Sequence, residues 1–142
     1  MTVVAQLSDV HIRPRGMLYQ NLVDSNAMLV SAIEAINRLR PAPDAVLITG
    51  DLTDDGSRDA CARLGERLRA LGVPVVAVAG NHDDPAVVAE VFGPPEALVG
   101  GWRVLGVDTS RPRQVHGTVD VDAVRARLDA LDDRPTLVVL HH

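Results

Sequence analysis

Val75-Val76-Ala77-Val78-Ala79-Gly80-Asn81-His82-Asp83 joins an unbroken apolar run to a tract of glycine, amide, imidazole and carboxylate. A short run of Val and Ala with no polar interruption reads as a strand buried on both faces, the kind that parallel sheets place between layers of helix. The polar tract begins where that run ends. The same punctuation recurs where Val3 to Leu7 is followed by Asp9 and His11, and where Ala45 to Thr49 is followed by Gly50 and Asp51. It recurs again where Thr136 to Leu140 is followed by His141 and His142. Helical patterns separate these runs, so the chain reads as α/β with parallel strands in one sheet. Ligands of such sheets bind beyond the carboxyl ends of the strands. Separate elements therefore aim Asp9, His11, Asp51, Asn81, His82 and the His141-His142 pair at one edge, where folding has no need of them. That is the pattern of a metal site.

The intervening segments supply the other layers. Asp9 to Gln20 has loop composition, and Ser25 or Asn26 is read as the cap of a helix carrying Ala27, Leu29, Val30, Ile33, Ile36 and Leu39. Pro41 and Pro43 stop it and launch the next strand. A second helix is expected from about Ser57 to Leu71, closed by Gly72, with Cys61, Leu64, Leu68 and Leu71 as its apolar stripe. Asp54 and Asp55 read as capping residues at its positive end. Pro85 to Phe92 is expected as a short helix, Ala97 to Val99 with Trp102 to Val107 as a hairpin turning at Gly100-Gly101, and Val121 to Leu131 as a last helix.

Composition excludes several classes of function. The 142 residues, 46% of them hydrophobic, make one domain spanning 1–142 with a real core. The 14 cations, all Arg, against 19 acids give a net charge of −5, so no basic surface offers itself to a nucleic-acid polymer or an acidic membrane. An anionic substrate would need a local positive centre. Cys61 stands alone, which excludes an internal disulfide, and its helical position reads as a small buried side chain. Tyr19, Phe92 and Trp102 are too scattered for a base-stacking platform. The first apolar run is too short for a signal-peptide core or a membrane span, and cytoplasmic residence is the default expectation. No Gly-x-Gly-x-x-Gly or Gly-Lys-Ser/Thr loop follows the first strand, which argues against a nucleotide-binding domain of those types.

Asp9 and His11 lie two apart, so in an extended segment their side chains face the same way and can grip one ion. Carboxylate oxygen with imidazole nitrogen suits Mn, Fe, Zn or Co better than Ca, and the lack of thiolates disfavours a Cys-based structural zinc. Asp51 can bridge two ions with its two oxygens, and Asn81 adds a neutral oxygen. Each tract alone has an ordinary reading as turn or cap chemistry. Their joint occurrence at separate strand ends is what points to a metal site.

These tracts, in this order, resemble the calcineurin-like metallophosphoesterase superfamily, whose pattern runs Asp-x-His, Gly-Asp, Gly-Asn-His-Asp/Glu, then a strand ending in His. Asp108-Thr109-Ser110 leading to His116-Gly117, with Val138-Val139-Leu140-His141-His142, is similar to its class III cyclic-nucleotide phosphodiesterase and glycerophosphodiesterase branch. The resemblance implies the N-terminal part of an αββα sandwich, a mostly parallel sheet with flanking helices, incomplete at the C-terminus. It implies Asp9 and His11 on a first metal, Asp51 bridging, and Asn81 and His141 on a second. His82, with Asn81, would contact the substrate phosphate, and Asp83 would orient His82 by accepting its hydrogen bond. The implied cofactors are two divalent or trivalent ions, and the implied reaction is two-metal hydrolysis of a cyclic nucleotide or glycerophosphodiester by an activated hydroxide. The family's closing Gly-His-x-His has no counterpart here. The chain is therefore expected to be truncated, with incomplete metal coordination and an open apolar face, and to form a homo-oligomer or pair with a partner carrying the missing half. The competing expectation is a catalytically incomplete subunit with a role in binding or assembly.

Overall fold

Strand β2 (Ala45–Thr49) is buried at every position, and the alternation of its side chains sets the layers. The computed structural model, which describes residues 1–111 and 113–142, pairs β2 in parallel with β1 (Val4–Leu7) and β3 (Val75–Val78), in the order β1-β2-β3. On one face Val46, Ile48, Ala77 and Ala79 pack with Leu29, Ile33 and Ile36 of helix α1 (Ser25–Arg38), Cys61, Leu64 and Leu68 of α2 (Arg58–Leu68), and Val88 of α3 (Pro85–Phe92). On the other, Ala45, Leu47, Val76 and Val78 meet Val99, Val104 and Val139 of a second sheet. That sheet holds β4 (Glu96–Val99), β5 (Trp102–Gly106) and β6 (Thr136–Val139) in the order β4-β5-β6, antiparallel then parallel. Helix α4 (Val121–Asp129) buries no residue and is tied to the second sheet by Arg127, which pairs with Glu96 and donates to the Gly106 carbonyl at 3.3 Å.

The expectation that all four apolar runs share one sheet is corrected by β6, which lies parallel to β5 in the second sheet. Only Val139 of β6 is buried, so its apolar run is not sandwiched as β2 is, and hydrophobicity alone does not distinguish the two. The cap of α1 is also corrected. Asp24, not Ser25 or Asn26, accepts from the Ala27 amide at 3.0 Å. Ser25 turns inward and donates to the His11 carbonyl at 2.8 Å, while Asn26 donates to the Arg13 carbonyl at 3.1 Å. The two polar residues thus anchor the loop after β1 to the start of α1. Helix α2 ends earlier than its apolar stripe, which runs on through a 3-10 turn, Arg69–Leu71, to Gly72 at φ 67. Among the described residues no helix is long and apolar enough to cross a membrane.

Cys61 is 1% exposed, and burial, reinforced by the nearby charges of Asp83 and Glu90, pushes its thiol up from 9.0 to about 12. A neutral, enclosed thiol is a poor nucleophile. Native protein should therefore leave a chromogenic disulfide reagent unreacted at pH 8, whereas the urea-unfolded chain should titrate one thiol. The stability this neutral thiol supplies is full below pH 9 and is lost as pH rises toward about 12, because the unfolded chain ionises first. That alkaline component should be missing from Cys61→Ala.

Candidate metal centre

The ladder between β1 and β2 does not stop where the strands do. The amides of Asp9, His11 and Ile12 donate to the carbonyls of Gly50, Asp51 and Leu52 at 3.1, 2.9 and 3.0 Å, which holds the two polar loops side by side. Within them Asp9, His11 and Asp51 take φ of 55, 40 and 50°, the left-handed region that non-glycine residues rarely adopt. The expectation of an extended Asp9-Val10-His11 segment is thereby corrected. The side chains of Asp9 and His11 are brought together by a kink, with His11 Nε2 4.0 Å from Asp9 Oδ1. Strain of this kind gathers at functional sites, where the surrounding structure over-determines it.

Asp51, 5% exposed, stands at the middle. Its Oδ2 is 3.5 Å from His11 Nε2 and its Oδ1 is 3.4 Å from His141 Nε2, while the His82 amide donates to Oδ1 at 3.1 Å. Two sets of donor atoms result, His11 with Asp51 and His82, and Asp9 with Asp51 and His141, each set lying within 4.8 Å. Asp51 belongs to both. Two glycines make the approach possible: a Cβ on Gly50 would fall 2.2 Å from the His141 ring, and one on Gly80 would fall 2.1 Å from Asp51 Oδ1.

The donor chemistry fits a cation. His141 donates from Nδ1 to the Thr49 carbonyl at 2.7 Å, which in the neutral ring leaves Nε2 as a lone pair. That Nε2 is buried, has no hydrogen-bond partner among the described residues, and faces a carboxylate oxygen. Two acceptors facing each other in a buried site repel unless a positive charge lies between them. Asp9 and Asp51 add the negative charge that a multivalent ion would neutralise.

His82 directs Nδ1 at the Asp54 carbonyl, 3.0 Å away. Asp83 does not serve His82, as the sequence reading expected. Its Oδ2 accepts from the Leu52 and Gly80 amides, each at 2.9 Å, and its Oδ1 from the Thr53 amide at 2.8 Å and hydroxyl at 2.9 Å. With both oxygens so occupied, Asp83 braces the loop after β2 against the loop after β3. The main-chain carbonyl of Asn81 accepts from the Arg113 amide at 3.1 Å, and Asn81 lines a polar cavity of about 360 Å³ with His82, Asp84 and Arg113. His142 packs its ring against that of His141, centroids 4.1 Å apart, and falls in neither donor set.

Asp54 is the residue that sequence reasoning misplaced. It does not cap α2; Ser57 does, accepting from the Ala60 amide. Leu52 and Thr53 are buried, which turns the segment inward and sets the Asp54 carboxylate beside both His11 and His82. Tyr19, discounted for base stacking, stacks on the His11 ring with centroids 4.4 Å apart.

The family model described as "Calcineurin-like phosphoesterase" matches residues 2–142. The chain is 33% identical to a probable cyclic nucleotide phosphodiesterase of Synechococcus, over 98% of this chain and 57% of that protein. It is 29% identical to a probable glycerophosphodiester phosphodiesterase of Arcobacter nitrofigilis, over 99% and 56%. With a 3′,5′-cyclic adenosine monophosphate phosphodiesterase of Pseudomonas aeruginosa it shares 31% identity, over 99% and 54%. The chain spans about half the length of these curated relatives.

Proposed function

Because the chain belongs to the calcineurin-like phosphoesterase family, we propose that its strand-end cluster hydrolyses small phosphodiesters, cyclic nucleotides or glycerophosphodiesters, with two bound metal ions. The observation that carries this reading is the sharing of one buried carboxylate, Asp51, by two donor sets. Asp9, His11, Asp51, Asn81 and His141 are assigned as the ligands, and the donor types suit Mn, Fe, Zn or Co. The ions would supply an activated water at neutral pH and neutralise phosphoryl charge. The protein's own part is to fix geometry and move a proton. His82, its side chain 38% exposed, is assigned to the proton although its ring belongs to the first donor set: Nδ1 stays on the Asp54 carbonyl, and the imidazolium form would carry on Nε2 the proton for a departing alkoxide. Asn81 offers its amide to a phosphoryl oxygen. Arg113, on the same cavity, offers a positive charge to an anionic substrate. The names of the relatives support both substrate classes.

The test is hydrolysis of bis(p-nitrophenyl) phosphate, a 3′,5′-cyclic nucleotide and a glycerophosphodiester by chelator-treated protein before and after addition of Mn²⁺. Metal-dependent release of product from at least one is expected, and no hydrolysis of any would overturn the reading. A role in assembly is favoured by a separate observation. Val4, Val104, Leu137 and the half-exposed Trp102 line an apolar groove of about 420 Å³ between β1 and strands β5 and β6 of the second sheet. Covering it by a second copy or a complementary chain predicts a mass above that of the monomer in light scattering at micromolar concentration.

A further inference from the structure

A cavity of about 410 Å³ begins at Asp9 and His11 and lies between the end of β1 and helix α1. Its walls away from those two residues include Leu7, Val10, Val23, Met28, Leu29 and Ala32, an apolar surface in the size range of a ligand pocket. The serines beside them are already committed. Ser8 donates its hydroxyl to Asp9 Oδ2, and Ser25 donates to the His11 carbonyl at 2.8 Å. Tyr19 lays its ring face on His11. Ser8 and Ser25 thus have no hydroxyl proton to offer the ring nitrogens of a nucleobase, and burying such acceptors without donors is costly. A hydrocarbon asks for no partner. The apolar surface also continues outward, where Met17, Leu18, Leu22 and Met28 are exposed, Leu22 to 80% and Met28 to 63%. The one charged residue in the segment 17–28 is Asp24. Flexible methionines at such a rim adapt to an irregular apolar ligand.

We propose that this cavity receives an alkyl or acyl chain carried by one ester of the phosphodiester, which makes single-chain lipid phosphodiesters a substrate class of the site. The proposal rests on the reading of the cluster as a phosphodiesterase centre. Asp9 and His11 are both assigned ligands and the inner wall of the cavity, so a substituent on a phosphoryl group bound at the cluster meets the apolar walls directly. A surface made only for packing against protein would have no need of those two residues at its inner end. The hydrolysis consumes one water. Its oxygen bonds to phosphorus, the bond from phosphorus to the polar alcohol breaks, the departing oxygen takes a proton, and the apolar alcohol stays on phosphorus as a monoester. The polar alcohol would depart into the cavity lined by Asn81 and His82.

The experiment measures kcat/KM for methyl, butyl and octyl p-nitrophenyl phosphate, each below its micelle concentration, with Mn²⁺ added to the parent chain, Ala32→Phe and Met28→Lys. These esters share one leaving group, so only the retained chain varies. A methylene that leaves water is worth at most about fourfold, and a rise of at least about tenfold from methyl to octyl is expected in the parent. Ala32→Phe, which fills the cavity, should bring the octyl-to-methyl ratio to within about twofold of unity. Met28→Lys, at the exposed rim, should lower the ratio in part, and it carries the comparison if Ala32→Phe fails to fold. Calorimetry of octyl phosphate binding to the chelator-treated protein supplies a reading without metal. Binding with a negative heat-capacity change is expected in the parent, weakened at least about fivefold in Ala32→Phe. A parent ratio near unity, or a raised ratio that both variants keep, would overturn the proposal. So would displacement of octyl phosphate by adenosine, which would make the cavity a base site, or binding only as an oligomer dissociates in light scattering, which would give it to a second copy. No hydrolysis of any ester would instead remove the phosphodiesterase reading beneath it.

Discussion

Asp51→Ala removes both donor sets at once, and the variant is expected to retain less than a tenth of the metal held by the parent chain. Each set loses its shared carboxylate, leaving His11 with His82 on one side and Asp9 with His141 on the other. The His82 amide also loses its acceptor at 3.1 Å. Any hydrolysis should fall by roughly a thousandfold or more, because a bound metal would lower the pKa of its water to about 7 and nothing else among the described residues of the cluster replaces that shift. Alanine at φ 50 adds about 1 kcal/mol of backbone strain, so Asp51→Asn, which tolerates the left-handed region, is the control that separates lost ligand charge from lost fold. Metal content by mass spectrometry, read beside the thermal midpoint, decides the matter. A folded Asp51→Ala carrying parental metal would sink the assignment.

Gly80→Ala should be the most destructive single methyl in the chain. The added carbon would lie 2.1 Å from Asp51 Oδ1, 2.2 Å from its backbone nitrogen and 2.9 Å from its carboxyl carbon. The nitrogen cannot swing away as a flexible side chain would, and overpacking a rigid site costs about 1–3 kcal/mol or more. Gly80 must also keep its amide on Asp83 Oδ2, so the loop cannot slide to make room. The expected result is a loss of about 3 kcal/mol in urea unfolding together with loss of metal. Gly72→Ala is the contrast. Among the described residues nothing lies within 4 Å of its added carbon, and only its φ of +67 is strained, so a loss of about 1 kcal/mol without effect on metal is expected. Equal losses at both positions would refute the packing argument.

The strand ends were legible because apolar runs stop abruptly there. Ala45 to Thr49 and Pro85 to Phe92 agree with the sequence reading residue for residue. What eluded it has physical reasons. An apolar run carries no mark of its partner, so β6 was placed in the wrong sheet. Asp and Ser serve caps, turns and braces with the same atoms. Hence Asp24 was overlooked as a cap, Asp54 was mistaken for one, and Asp83 was assigned to His82 although four donors from Leu52, Thr53 and Gly80 occupy it. No glycine flags the left-handed backbone at Asp9, His11 and Asp51, where the local sequence would favour extended chain and only the folded loops hold the turn. Gly80 was read as part of a tract and not as the space that Asp51 occupies.

The hydrogen bond from His141 to the Thr49 carbonyl joins residues 92 positions apart, whereas His11, Asp51 and His82 all precede His141 by a long stretch. Synthesis runs in one direction. A nascent chain therefore acquires every donor of one set while the other still lacks His141, so an ion held by the first set could enter before the second is complete. Occupancy of such a centre would then have a history: an ion captured early would hold Asp51 before His141 arrives, and its identity would reflect the metals present during synthesis rather than those present after folding.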